Sequence, residues 1–537
     1  SLLRLDGPAL GSYAPSGDGE AEHWYRDGQR IDAPLRPTRA RRARPRPPIA
    51  ARAENRPSSL RHTVATPATA TAPVLEGDAA RAVAHRGGHL QIIAAAGSGK
   101  TETVAQRVAS LLAEGVDPRA IVAFTFTEKA AAELKERIRL RAAAIAGEEI
   151  SDRLGPLFVG TIHAYCFHLL QDNVPEYETY SVLDENQHVI LLTREAQRLG
   201  LRDLPEVQGL FSGIRTFIRS VDVVENELLT VEDLPAGPFR DVLEKYYATL
   251  DRYRLMTFGQ QVARAVRALE DPEIHQRVTQ GLHHLIVDEY QDINPAQERL
   301  IELLARPHGK ADLAVVGDDD QAIYQWRGSD VQNIVTFHQR YTGVTQFRLL
   351  TNRRSRPAII DLANAFAAAN IPERLPKQMG LHRTAEGPAV EVHLAPTVES
   401  GEATHIAARI TDLHRRGVPY RDVAVLVRGR TAYPALTTAL GRAGIPVQTG
   451  GRTGLFDQAV ARALGKAYCW LGDVEWKSAG TRDQRVSDLE GLVTELGQAF
   501  RLDPDRTAQV AAHLKEMKAE VPDAGSHADL VGGFYGL

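Results

Sequence analysis

Three short runs carry side chains whose types and spacing suit connected chemistry. The first is Ala94-Ala-Ala-Gly-Ser-Gly-Lys-Thr101. A triphosphate needs close-packed backbone N–H donors, which only small residues permit, so Ala96, Gly97, Ser98 and Gly99 would let the backbone wrap it. The following helix would aim its positive end at the same anion. Lys100 would reach the β/γ-phosphates and Thr101 would ligate Mg²⁺. The strict Gly-x4-Gly-Lys-Thr pattern is missed only at its first position, Ala94. The second run is Val287-Asp-Glu-Tyr-Gln-Asp292. Adjacent carboxylates at the end of an apolar strand let one group, Asp288, hold the Mg²⁺ shell while the next, Glu289, orients and deprotonates water. The third is Gly317-Asp-Asp-Asp-Gln-Ala-Ile-Tyr-Gln-Trp-Arg-Gly328. There Gln321 offers a neutral amide to a γ-phosphate or an attacking water. Tyr324, Trp326 and Arg327 suit base stacking with phosphate pairing, worth ~1–3 kcal/mol per stacked base. Aromatics that pack a domain interface are the alternative, and both can hold at once.

These groups must be positioned by strands and helices, and the chain reads accordingly. Leu90-Gln-Ile-Ile93 reads as a buried strand entering the Gly-rich turn, and 103–112 as the helix after it. Ile121-Val-Ala-Phe-Thr-Phe126 is a second strand, followed by a helix over 128–141 with Ala131, Leu134 and Ile138 at helical spacing. Leu285-Ile-Val287 and Leu313-Ala-Val-Val316 are two more buried strands, and Val423-Ala-Val-Leu-Val427 a later one. The stretch from about 170 to 255 is mostly helical in pattern. Strands alternating with helices predict an α/β architecture with largely parallel sheets.

The whole chain of 537 residues is too long for one core and predicts three or four domains. No apolar run approaches the ~20 residues of a membrane helix. Two cysteines, Cys166 and Cys469, argue against a disulfide framework and fit a reducing cytosol. The net charge of -4 does not advertise a polyanion partner, yet a groove can be basic on an acidic surface. Residues 1–72 are Arg/Pro-rich without an apolar period; they read either as a disordered tail or as a basic arm that touches DNA non-specifically.

Taken together, the three runs resemble those of superfamily 1 DNA helicases of the UvrD/Rep type, with family motifs in order from about residue 75 to 470. The resemblance implies a P-loop NTPase with RecA-like parallel-sheet motor domains carrying helical insertions. It divides the chain into a tail (1–72), a first motor domain (73–165 and 256–346), a helical insertion (166–255), a partial second motor domain (347–470) and the incomplete start of a second insertion (471–537). It also implies further site residues. Phe124-Thr-Phe-Thr-Glu-Lys-Ala-Ala131 resembles a DNA-contact motif, with Phe126 and Thr127 at contacting positions. Gly160-Thr-Ile-His163 resembles the next, implicating Thr161 and His163. In Leu350-Thr-Asn-Arg-Arg-Ser355, Arg354 would reach γ-phosphate as an arginine finger does.

The sequence departs from the family around the base of the nucleotide. Ala79 stands where the family has Gln, Glu102 where it has Arg, and Arg353 where it has a stacking Tyr. Glu102 and Arg353 stay within the expected nucleotide site, with weaker base discrimination expected. Glu128 replaces the usual Asn of the first DNA motif. Two late family motifs are not found before Leu537, so the chain reads as truncated, with nucleotide and weak DNA binding but poor hydrolysis. The expected parent is a cytoplasmic, ATP- and Mg²⁺-dependent 3′→5′ translocase and helicase on single-stranded or partially duplex DNA, in repair or recombination. A motor subunit of a helicase-nuclease complex and a non-catalytic DNA-binding protein on a decayed motor are the alternatives.

Overall fold

The computed structural model describes residues 72–520, apart from 205–209, 372–373, 385–389, 398–400, 449–458, 472–474, 477–483 and 486–487. The Arg/Pro-rich run expected as a tail therefore lies, but for its last residue, outside the described residues. The described chain divides into two compact units, one ending at Glu391 and the other beginning at Val392.

In the first unit the strands are β1 (Leu90–Ala94), β2 (Ile121–Thr125), β3 (Phe158–Thr161), the short pair β4 (Ser181–Val182) and β5 (Leu255–Met256), β6 (His284–Val287), β7 (Asp312–Gly317), β8 (Thr345–Leu349) and a second short pair, β9 (Thr351–Asn352) and β10 (Gly380–Leu381). Six of them form one sheet in the order β3-β2-β6-β7-β1-β8, with every neighbouring pair parallel. The helices are α1 (Gly77–Ala84), α2 (Lys100–Ala113), α3 (Glu128–Ala146), α4 (Ile162–Asn173), α5 (Glu185–Leu199), α6 (Leu210–Asn226), α7 (Pro238–Tyr253), α8 (Phe258–Leu269), α9 (Pro272–Thr279), α10 (Pro295–Leu304), the one-turn α11 (Gln332–Val335) and α12 (Phe337–Arg340), and α13 (Pro357–Asn370).

Side chains alternate across a strand, so a strand buried on both faces reads as a continuous apolar run while feeding two cores. Leu285 and Val287, with Leu313 and Val315, enter the core under α4, α8 and α10, where Cys166, Val266 and Leu300 meet them. Ile92, Ile286, Ala314 and Val316 enter the opposite core, under Val104 and Val108 of α2 and Leu134 and Ile138 of α3. The α/β class with a parallel sheet is as the sequence predicts, and helices cover both faces of it. Polar caps fix where helices begin: Thr127 accepts from Ala130 N at α3, Thr161 from Ala164 N at α4, and Asn294 from Gln297 N at α10.

α5, α6 and α7 build a separate core around Leu192, Phe217, Leu243 and Tyr246. At the end of α6, Thr257 donates its hydroxyl to Glu225 Oε2 at 2.8 Å, and the carboxyl is buried. Burial pushes the Glu225 carboxyl from 4.5 up to about 8. Between those values the folded chain binds more protons than the unfolded one, so this group's contribution to stability falls as pH rises from about 4.5 to 8. Glu225→Gln is expected to raise Tm on the order of 5 °C at pH 8 and little at pH 5. Thermal unfolding at the two pH values checks this; equal shifts at both would contradict it.

In the second unit, helices Ala403–Arg415 and Tyr433–Arg442 share a small core of Ala407, Ile410 and Leu440. Helices Ala459–Leu471, Leu489–Phe500 and Pro504–Glu520 meet at Trp470, Leu492, Leu496 and Leu514. The run 423–427, expected as a strand, is not one: it joins no ladder, and Leu426 is 94% exposed. An apolar run becomes a buried parallel strand only where neighbours satisfy its backbone and cover its faces, and among the described residues none does so here.

Candidate functional site

Strand order decides which loops meet. In a parallel sheet all the strand C-termini lie along one edge. The order β6-β7-β1-β8 therefore sets the turns after Val287, Gly317, Ala94 and Leu349 side by side, and β2 and β3 carry Phe126 and Thr161 to the adjoining part of that edge.

The turn after β1 is a cradle of backbone. Gly97 and Gly99 sit at φ +65° and +94°, the left-handed region that favours glycine. A Cβ on Gly97 would lie 2.9 Å from both Arg354 Cβ and Asn352 Oδ1, so a larger residue would displace the turn that closes over it. Arg353 N donates to Gly97 O at 2.9 Å, while Asn352 Oδ1 accepts from Arg354 N and Ser355 N at 2.8 Å each. The backbone of 352–355 is thus tied to the cradle, with the side chains of Arg353 and Arg354 exposed. Gly99 caps α2 without any side chain, so the first N–H groups of α2, from Lys100 and Thr101 onward, are not covered by a capping oxygen. Ala96 lies half-buried in the same turn, and the buried Ser98 hydroxyl has no partner.

Lys100 Nζ lies 2.8 Å from Glu289 Oε2, which also accepts from Gln291 Nε2 at 2.9 Å. Glu289 adopts φ 51°, a left-handed conformation that is strained for a residue with a Cβ and that turns the chain sharply at the end of β6. Asp288 beside it is buried, and burial together with the Glu289 charge pushes its carboxyl up to about 6. Asp292 is pushed up to about 6 for the same two reasons, and its Oδ1 is buried without a partner. Buried, crowded carboxylates of this kind are hard oxygen donors, the chemistry a divalent cation such as Mg²⁺ takes.

Gln321 donates its amide to Asp318 Oδ2 at 2.5 Å, and Asp318 N donates to Gln291 Oε1 at 3.0 Å. The three runs therefore share one polar network: Lys100, Glu289, Gln291, Asp318, Gln321. Two members escaped sequence reasoning. Lys377 Nζ lies 2.9 Å from Asp318 Oδ1 and also contacts Asp319. Arg374 grips Asp320 through Nε and Nη2 at 2.7 and 2.5 Å. Nothing local in the sequence marks them, because their partners lie more than fifty positions away.

The expected DNA-contact residues separate into two sets. Phe126 stacks on Tyr324 (4.8 Å, 29°), and the Arg327 guanidinium lies 4.6 Å from the Trp326 ring centre. Trp326 is 72% exposed, so this cluster presents a bare aromatic face with a cation beside it. Asn226 at the end of α6 braces it, donating to Arg327 O at 3.3 Å and accepting from Asn294 Nδ2 at 2.9 Å. Thr127 is exposed while its hydroxyl caps α3. Thr161 is buried and His163 half-buried. The Thr161 hydroxyl donates to Glu128 Oε1 at 2.9 Å and accepts from Ala164 N. Burial lowers His163 to about 4, so its imidazole is neutral near pH 7 and brings no cation to a phosphate. Its ring meets Phe258 edge-on at 5.8 Å.

Glu102 also turns away from the cradle. It accepts from Arg141 Nε at 2.7 Å and from Gln106 at 2.7 Å, with Arg137 at 3.6 Å. Ala79 packs against the core beneath α2. Neither provides a polar group toward a base.

Residues 75–342 match the UvrD/REP helicase N-terminal domain family, and residues 347–464 the UvrD-like helicase C-terminal domain family. The ATP-dependent DNA helicase PcrA of Staphylococcus aureus is 30% identical over 392 residues, covering 70% of this chain and 51% of that protein. PcrA of Staphylococcus epidermidis is 31% identical over 405 residues, covering 73% and 52%. The chain spans about half the length of the curated relatives it matches.

Proposed function

The chain belongs to the UvrD/REP helicase family, and from that premise we propose that it is the ATP-binding and DNA-gripping part of an ATP-dependent 3′→5′ DNA translocase and helicase, cytoplasmic and serving repair or recombination. The observation that carries the reading is the shared network from Lys100 through Glu289, Gln291 and Asp318 to Gln321, on the same sheet edge as exposed Trp326 and Arg327. Such a network is costly to keep unless its charges are used, which favours a working motor over a non-catalytic scaffold.

In this reading the cradle amides and the start of α2 bind the triphosphate, and Lys100 leaves Glu289 for the β/γ-phosphates. Thr101 and Asp288 would hold Mg²⁺, which when bound would neutralise phosphate charge. Glu289, relieved of its lysine, accepts the proton of the attacking water, and Gln321 faces the γ-phosphate. Arg354 completes the charge around that group. Tyr324, Trp326 and Arg327 hold single-stranded DNA by stacking and phosphate pairing, with Phe126 and Thr127 beside them. Thr161 and His163 shape that surface from beneath. The first motor domain is assigned to 73–165 and 256–346, its insertion to 166–255, the second motor domain to 347–470 and a second insertion from 471. No helix among the described residues is long and apolar enough to cross a membrane.

The proposal makes this chain a Lys100-dependent ATPase that also binds single-stranded DNA. ATP hydrolysis with and without oligo(dT), with Lys100→Ala as control, tests it. Lys100-dependent hydrolysis with clear binding of both ligands is expected; hydrolysis independent of Lys100 would contradict the site assignment, and no binding of oligo(dT) the DNA-gripping part. Base selectivity is also expected to be slack, because Ala79, Glu102 and Arg353 offer no set of groups that reads adenine. ATP and GTP should compete with affinities within about tenfold, less than one good hydrogen-bonded readout supplies. Adenine-only binding in a competition titration would contradict this.

A further inference from the structure

We infer that Lys377 is a positioning residue for Gln321, acting through Asp318; the inference rests on the reading of Gln321 as the group that faces the γ-phosphate. Lys377 lies in the extended stretch beyond helix Pro357–Asn370, and its side chain is 1% exposed. A lysine so buried keeps its charge only against close anions. Here it meets three consecutive carboxylates, Asp318 at 2.9 Å, Asp320 at 3.3 Å and Asp319 between them. Leu375 N adds a donor to Asp319 Oδ2 at 2.7 Å, and Arg374 takes Asp320. The turn after β7 is thus held by residues from a segment more than fifty positions on.

The contact that matters for chemistry is the one on Asp318. Lys377 occupies Oδ1, which leaves Oδ2 as the acceptor for the Gln321 amide. A carboxylate only accepts, so the Gln321 NH₂ must face it, and the Gln321 carbonyl oxygen and second amide hydrogen are left in one fixed plane. The Asp318 backbone is pinned separately, by Gln291 Oε1. Without Lys377 the backbone stays in place and Asp320 N still donates to Oδ1 at 3.3 Å, but the carboxylate loses its closer, charged donor, and Gln321 is held less firmly in its orientation. The same connection runs outward: a shift of 374–377 reaches Gln321 through a single side chain.

The test is the ratio of dissociation constants for ADP and a non-hydrolysable ATP analogue, each with Mg²⁺, for the 537-residue chain and its variants. Gln321→Ala is expected to cut the preference for the triphosphate about tenfold. Lys377→Met should cut it by the same factor within about twofold, with ADP affinity unchanged, and the double variant should lose no more than either alone. Lys377→Arg should keep most of the preference. If Lys377→Met does not fold, Lys377→Met with Asp319→Asn removes one charge of each sign and is read in the same way. A parental ratio in the Lys377 variants beside a reduced one in Gln321→Ala would overturn the inference and leave the Gln321 reading standing. Additive losses in the double variant would also overturn it. A parental ratio in Gln321→Ala would overturn both.

Discussion

Replacement of Lys100 by alanine is expected to weaken Mg-triphosphate binding about thirtyfold or more, whereas replacement of its partner Glu289 by glutamine should leave binding equal or tighter. The opposite signs follow from the 2.8 Å ion pair. Lys100 is 11% exposed at its side chain, so a phosphate that draws it from Glu289 gains a charge-assisted hydrogen bond in a dry setting, worth about 2 to 3 kcal/mol. Alanine removes that gain and leaves Glu289 facing the phosphates with only Gln291 as donor. Glutamine at 289 instead releases Lys100 and removes a negative charge from beside the γ-phosphate. Hydrolysis should fall at least a hundredfold in Glu289→Gln, because an amide takes no proton from water. Calorimetric titration with a non-hydrolysable analogue reads binding without turnover. Equal weakening in both variants would mean that the pair is a structural bridge and not a poised one.

Trp326→Ala is expected to lower affinity for oligo(dT) by about 1–3 kcal/mol, roughly five- to 150-fold, with the salt dependence unchanged. Trp326 is 72% exposed, so its loss empties no core and should leave the melting temperature nearly unmoved. Arg327→Gln should differ in kind: it removes a phosphate partner, so the slope of log K against log salt should shrink by about 0.7. Fluorescence anisotropy at three or more salt concentrations separates the two. A Trp326→Ala chain that binds as tightly as the parent would place the stacking surface elsewhere, and the aromatic cluster would then be a brace between Phe126 and the end of α6.

The part of the fold most legible in the sequence is its centre. β1, β2, β6 and β7 are buried on both faces, so they read as nearly continuous apolar runs, broken within only by Gln91 of β1. The edge strands are harder to see. β8 reads Thr-Gln-Phe-Arg-Leu and β3 Phe-Val-Gly-Thr, each with one strand neighbour and a partly exposed face, so neither carries a continuous apolar signal. The run 423–427 shows the converse, an apolar strand-like pattern that has no ladder to join. In the site, the cradle and the carboxylate run could be read because their chemistry is local to a few consecutive residues. Lys377, Arg374 and Asn226 could not, since a single polar residue takes its meaning from partners that only the fold supplies. The direction of Thr161 likewise depends on Glu128, thirty-three positions away in sequence at the start of the helix that follows the neighbouring strand β2.

The most direct measurement is the affinity of the 537-residue chain for an Mg-bound ATP analogue with and without saturating oligo(dT), repeated with Lys100→Ala. One sheet edge holding both the triphosphate cradle and the DNA-stacking cluster predicts tight, Lys100-dependent nucleotide binding that DNA shifts by several-fold, with the reciprocal shift in DNA affinity when nucleotide is bound. Nucleotide binding indifferent both to DNA and to Lys100 would contradict it.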